Sequence, residues 1–172
     1  MKISAKKVAA MGVLLAAACI VFLIESLVPP LLPMAPYVKI GLANVFVLLV
    51  IIYFGAWQAF VFVLAKNFLT ALIAWSTFAF LLNLAGSLCA YLVMAGLYAA
   101  VFPRVSLISV SICGAIVSNI ARVSVVVLLM QTPSLYLQLP FVCVFSVAAG
   151  VIVGVLTILS VKHLPERLTN YK

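Results

Sequence analysis

Four charged side chains stand inside stretches that are otherwise almost wholly apolar: Glu25, Lys39, Lys66 and Arg122. Arg122 is the sharpest case. SNIARVSVVVLLM, residues 118–130, reads as membrane-embedded helix with this one offence. A charge at that depth costs a few kcal/mol, so something must compensate it. A guanidinium suits a two-point contact with carboxylate or phosphate, and an ammonium supplies a point charge. Amides and hydroxyls accompany these ions: Asn44, Asn67, Thr70, Asn83, Ser87, Ser118 and Asn119. Lys66 with Thr70, and Asn83 with Ser87, are four residues apart, and Asn119 with Arg122 are three apart. Each pair projects from one face of a helix. The chemistry available to such a set is recognition of a small anionic or polar molecule. Two structural readings stand beside it. Polar side chains in membrane helices often bond neighbouring helices, and Arg122 could pair with Glu25 to tie two helices together.

Other chemistries are excluded. The chain has no aspartate, and its only acids are Glu25 and Glu166. Paired carboxylates on Mg²⁺ are therefore not to be expected. There is no GxxxxGK[ST] loop, so ATP is not hydrolysed here by that device. Cys19, Cys89, Cys113 and Cys143 lie in separate apolar segments without CxxC spacing and read as small buried hydrophobes. His163 stands in the charged tail without ligand partners. The expectation is a protein that is not an enzyme, with no catalytic residue, no metal, no cofactor and no nucleic-acid partner.

The elements that must position these residues follow from composition. Of 172 residues, 69% are hydrophobic and 7% charged. A soluble domain of this size cannot hide so much apolar surface, so this is an integral membrane protein, all-α, and a single membrane domain over residues 1–172. The first apolar run, Val8 to Leu27, is long enough to span, and no cleavage site follows it. Turn signals divide the apolar sequence into a six-transmembrane-helix bundle, with spans near 6–27, 38–54, 56–74, 79–102, 106–130 and 136–161. Between spans one and two, SLVPPLLPMAPY cannot continue a helix and reads as a stiff external loop, with a re-entrant segment as the alternative. The link at Gly55 is short enough to make spans two and three a tight hairpin. Lys2, Lys6 and Lys7 precede span one, and Lys162, Arg167 and Lys172 follow span six. The positive-inside rule then places both termini in the cytoplasm and Arg104 with them.

This topology brings the polar residues to one level. Glu25 falls at the outer end of span one, and Lys39 and Asn44 in the outer half of span two. Lys66, Asn67 and Thr70 lie in the middle to outer third of span three. Asn83 and Ser87 lie near the outer end of span four; Ser118, Asn119 and Arg122 lie past the midpoint of span five. Three cations face one acid there, which calls for an outward-facing, water-filled cavity with a negatively charged ligand. At the inner end of span one, Ala5, Ala9, Gly12 and Ala16 form a small-residue stripe. Such a stripe admits a close-packed helix, either within the bundle or from a partner.

The VKIGLAN stretch at 38–44, LNLAGSL at 82–88, Met94 and SVSICGAIVSNIARV at 109–123 resemble the Gx transporter family, also labelled heptaprenyl diphosphate synthase component I. That family is similar to the substrate-binding S components of energy-coupling-factor transporters. The resemblance implies six helices, a loop over an outer pocket, and a small-residue face on the first helix that docks a transmembrane coupling protein carrying ATPase subunits. It implies a subunit in the cell membrane for uptake of a vitamin-like molecule. Members usually carry an HNxGQ-like sequence where Ser118-Asn119-Ile120-Ala121-Arg122 stands here, and an Arg-rich start where Lys66-Asn67 stands, so the ligand is left open. Some relatives are associated with flavin-linked electron transfer and quinone assembly, which gives the alternative of a redox-assembly subunit. The prenyl-synthase label fits poorly, because prenyl transfer of that class uses aspartate-rich Mg²⁺ sites.

Overall fold

The computed structural model describes residues 5–27 and 35–163. The Pro-rich stretch 28–34, Glu166 and the terminal Lys2, Arg167 and Lys172 lie outside the described residues. The described residues form α-helices α1 (Ala5–Leu27), α2 (Asn44–Phe54), α3 (Ala56–Ala74), α4 (Thr77–Val101), α5 (Leu107–Met130) and α6 (Leu139–His163), with a 3-10 helix at Pro133–Gln138 before α6. All but α2 are long and apolar enough to cross a membrane. The chain is a multi-pass membrane protein.

Local chemistry sets the boundaries. Ser76 and Ser106 stand in extended conformation ahead of α4 and α5, and their hydroxyls accept from the backbone N–H of Ala79 and Ser109. These hydroxyls satisfy donors that a helix start would otherwise leave free. Gly55 has φ +93° and separates α2 from α3 by a single residue, which makes the expected tight hairpin. On α3, Trp57 and Trp75 mark the two ends, 70% and 92% exposed. They are about 27 Å apart at about 1.5 Å per residue. That nearly matches a hydrocarbon thickness of about 30 Å, with an indole at each interface.

Span two is corrected. It does not begin at residue 38: the helix starts at Asn44, and residues 35–43 run as turns and irregular chain. Pro36 lacks a donor, and Gly41 takes φ +77°, so no helix can be continued through them. An eleven-residue helix is only about 16 Å long, half a membrane. Tyr53 at the end of α2 donates to the carbonyl of Val161 near the end of α6, so α2 fills the half of the bundle where α6 ends. Residues 35–43 fill the other, distal half: Ala35 and Val38 pack with Val123, Val127 and Val142. The apolar composition of α2 suits this place. Val47, Leu48, Leu49, Val50 and Ile51 are all buried, against Phe62, Val63, Met94 and Val153.

The tightest contact joins α5 and α6. A Cβ on Gly150 would come within 2.5 Å of the Ile112 Cα, and one on Gly154 within 2.7 Å of the Ile108 Cα. Backbone meets backbone there, as small residues allow in membrane helices. Cys19 is buried, but Cys113 is exposed on the outer surface of the bundle, unlike the small core residue its composition suggested.

Candidate functional site

Two polar groups form in the distal half, and α5 joins them. The first lies between α3, α4 and α5. Lys66 is 3% exposed and its ammonium donates to the Ser87 hydroxyl at 3.2 Å. Ser87 in turn donates to the Asn67 carboxamide oxygen at 3.3 Å. Arg122 is 6% exposed and donates from Nη1 to the Asn83 carboxamide oxygen at 3.0 Å. Its Nε is fully buried and has no partner among the described residues. Gly86 makes room for it: a Cβ there would sit 2.7 Å from the Arg122 Nε and 3.1 Å from the Ser118 hydroxyl. Lys66 and Arg122 thus close on consecutive residues of α4, Ser87 and Gly86. No carboxylate lies within ion-pair distance of either among the described residues.

The second group holds the irregular segment. One oxygen of Glu25 accepts from the Gly41 N–H at 2.6 Å. The Asn119 carboxamide grips both sides of Lys39, accepting from its N–H at 3.4 Å and donating to its carbonyl at 3.3 Å, and also donates to Ser146 at 2.9 Å. Tyr37 donates to Gln138 at 2.6 Å, which fastens the segment to the 3-10 helix. Backbone without a helical partner at membrane depth needs such bonds. The Lys39 ammonium turns away to Ser26, at 3.1 Å, and lies over the Phe22 ring at 4.3 Å. Glu25 therefore pairs with neither Lys39 nor Arg122, and the Arg122 pairing considered from sequence is not formed.

Residues 14–159 match the profile of the family described as heptaprenyl diphosphate synthase component I. The chain belongs to this family. It is the family of the Gx transporters that the VKIGLAN and SNIAR stretches resemble, and the match takes in every residue of both polar groups. No curated protein matches the chain.

Within this family member, the residues named from sequence divide by what their polar atoms already do. Thr70 is buried and spends its hydroxyl on the carbonyls of Lys66 and Asn67 in its own helix. The Asn67 amide does the same with Val63. Asn44 stands under the turn at Gly41, its amide nitrogen 3.0 Å from where a Cβ would be. Glu25, Lys39 and Asn119 are engaged with the segment and its surroundings. Lys66 and Arg122 keep donors to spare. Ala9, Gly12 and Ala16 are exposed on α1, and nothing lies within 4 Å of a Cβ built on Gly12. Ala5 opens the same helix. Sequence reasoning missed Ser146, Gln138 and Gly86. Ser146 could have been found, because Ser146, Gly150 and Gly154 recur every four residues. Gly86 and Gln138 carry no such signal, since only the approach of another helix or segment gives them a role.

Proposed function

We propose that the protein is the substrate-binding membrane subunit of an uptake system for a small anionic molecule, energised by a partner module with ATPases. The observation that carries this reading is the pair of buried cations, Lys66 and Arg122, held on one turn of α4 by neutral partners only. Buried, unpaired charge is costly, and a bound anion would relieve it. Half-length α2, broken at the level of the site, supports the same reading, because interrupted helices in membrane proteins commonly mark binding sites. Energy must come from elsewhere, since the sequence lacks a nucleotide-binding loop. The exposed Ala9, Gly12 and Ala16 on α1 support docking of a transmembrane coupling protein. The reading sets the protein in the cell membrane with cytoplasmic termini, so the distal half opens outward. The family description names a synthase component, but an aspartate-free chain is better suited to binding an anion than to ionising a diphosphate.

The test is purification under mild conditions, followed by native mass spectrometry. Wild type should retain a small anionic molecule and bring ATPase subunits with it. Arg122→Gln should keep the subunits and lose the molecule. Recovery with flavoproteins and without ATPases would replace uptake by the redox-assembly reading.

A further inference from the structure

We infer that the ligand is a dianion without an ammonium group, of the class of phosphate monoesters and dicarboxylates. The inference rests on the uptake reading and narrows its substrate. Charge divides by burial in the distal half: Glu25 and Lys39 are partly exposed, whereas Lys66 and Arg122 are buried. At the rim, Glu25 holds the Gly41 N–H while its neighbour Ser26 holds the Lys39 ammonium. One negative and one positive group stand side by side there and cancel at a distance. The buried Lys66 and Arg122 have no carboxylate within ion-pair distance among the described residues. Their partners, Ser87 and Asn83, are neutral, and the surrounding Asn67, Thr70, Ser118, Asn119 and Ser146 are neutral as well. The interior therefore carries two positive charges. A monoanion would leave one of them uncompensated in a medium of low dielectric, where that is expensive. A dianion balances both.

The hydrogen-bond inventory agrees. The Lys66 ammonium spends one donor, on Ser87, and the Arg122 guanidinium one, on Asn83. The remaining N–H groups, with the unpartnered Arg122 Nε, are all donors. They call for a ligand rich in acceptor oxygens. An ammonium on the ligand would meet two buried cations, and Glu25, the one carboxylate among the described residues, is drawn to the Gly41 N–H through one of its oxygens.

The experiment uses the purified full-length protein in detergent with ¹⁵N-labelled arginine side chains. Its arginines are Arg104, Arg122 and Arg167, and Arg122→Lys identifies the Arg122 signal. Sulfate and malonate are titrated against nitrate and acetate at constant ionic strength, and ethyl phosphate against phosphoethanolamine. The dianions should shift the Arg122 Nε signal and raise the melting temperature at concentrations at least roughly tenfold below the monoanions. Phosphoethanolamine should be weaker than ethyl phosphate by a similar factor. Lys66→Gln should remove the preference, so that acetate and malonate act alike. Acetate matching malonate on the wild type would overturn the dianion and leave anion uptake standing. An Arg122 signal that no anion moves would overturn both. The wild-type comparison decides even if Lys66→Gln does not fold.

Discussion

Arg122 and Asn119 are three residues apart on α5, yet they do different work. Arg122 has a neutral partner and an idle Nε, whereas Asn119 has spent its carboxamide on Lys39 and Ser146. Their variants should fail in opposite ways. Arg122→Gln should leave the melting temperature of the ligand-free protein unchanged and cost ligand binding about 2–5 kcal/mol, roughly one and a half to three and a half decades in affinity. Arg122→Lys keeps the charge, loses the planar fork, and should fall between the two. Asn119→Ala leaves the Lys39 N–H and carbonyl without partners. These bonds are long, so the expected loss is about 1 kcal/mol of stability, seen as a lower melting temperature without ligand. A thermal melt of both variants, with and without the retained molecule, checks the assignment. A destabilised Arg122→Gln with normal affinity would return Arg122 to a structural role.

Small residues serve two kinds of helix face. On α6, Gly150 and Gly154 let the backbone of α5 approach so closely that a methyl group has nowhere to go. Gly154→Ala should cost about 1–3 kcal/mol by overpacking, read as a lower melting temperature in detergent. On α1, Gly12 faces open space, so Gly12→Leu and Ala9→Leu should leave the isolated protein folded. In the proposed assembly the same variants should abolish co-purification of the coupling subunits. If they retain the subunits in normal yield, the stripe faces lipid only and docking occurs elsewhere. The contrast between Gly154 and Gly12 also shows why a GxxxG-like pattern cannot be read alone: the pattern is alike, but the neighbour differs.

For the whole molecule, the proposed orientation puts the distal end outside. Pro36 is exposed at that end, whereas Ala35 beside it is buried, so a label belongs on Pro36. Pro36→Cys in a cysteine-free background should react with an impermeant maleimide on intact cells. Cysteine at exposed Arg104, between α4 and α5, should react only after permeabilisation. The reverse pattern would turn the molecule over and place the cation pair on the cytoplasmic side, which would remove the uptake reading.

The sequence determined the membrane class and most helix boundaries. Apolar runs of spanning length leave no other fold, and capping serines and the single-residue link at Gly55 end the runs locally. It also determined that polar residues of several helices share one level, because depth follows from counting along a helix. It did not determine α2. VKIGLANVFVLL has the composition of one helix, and only the tertiary structure offered Glu25 and Asn119 as partners for a backbone that leaves the helix at Gly41. Nor did it assign the partners of the charges. Glu25 was the one acid that the expected spans put at the level of three cations, and in the structure it accepts from a peptide N–H. Such choices depend on which groups meet across helices distant in sequence, and hydropathy along one chain carries no information about that meeting.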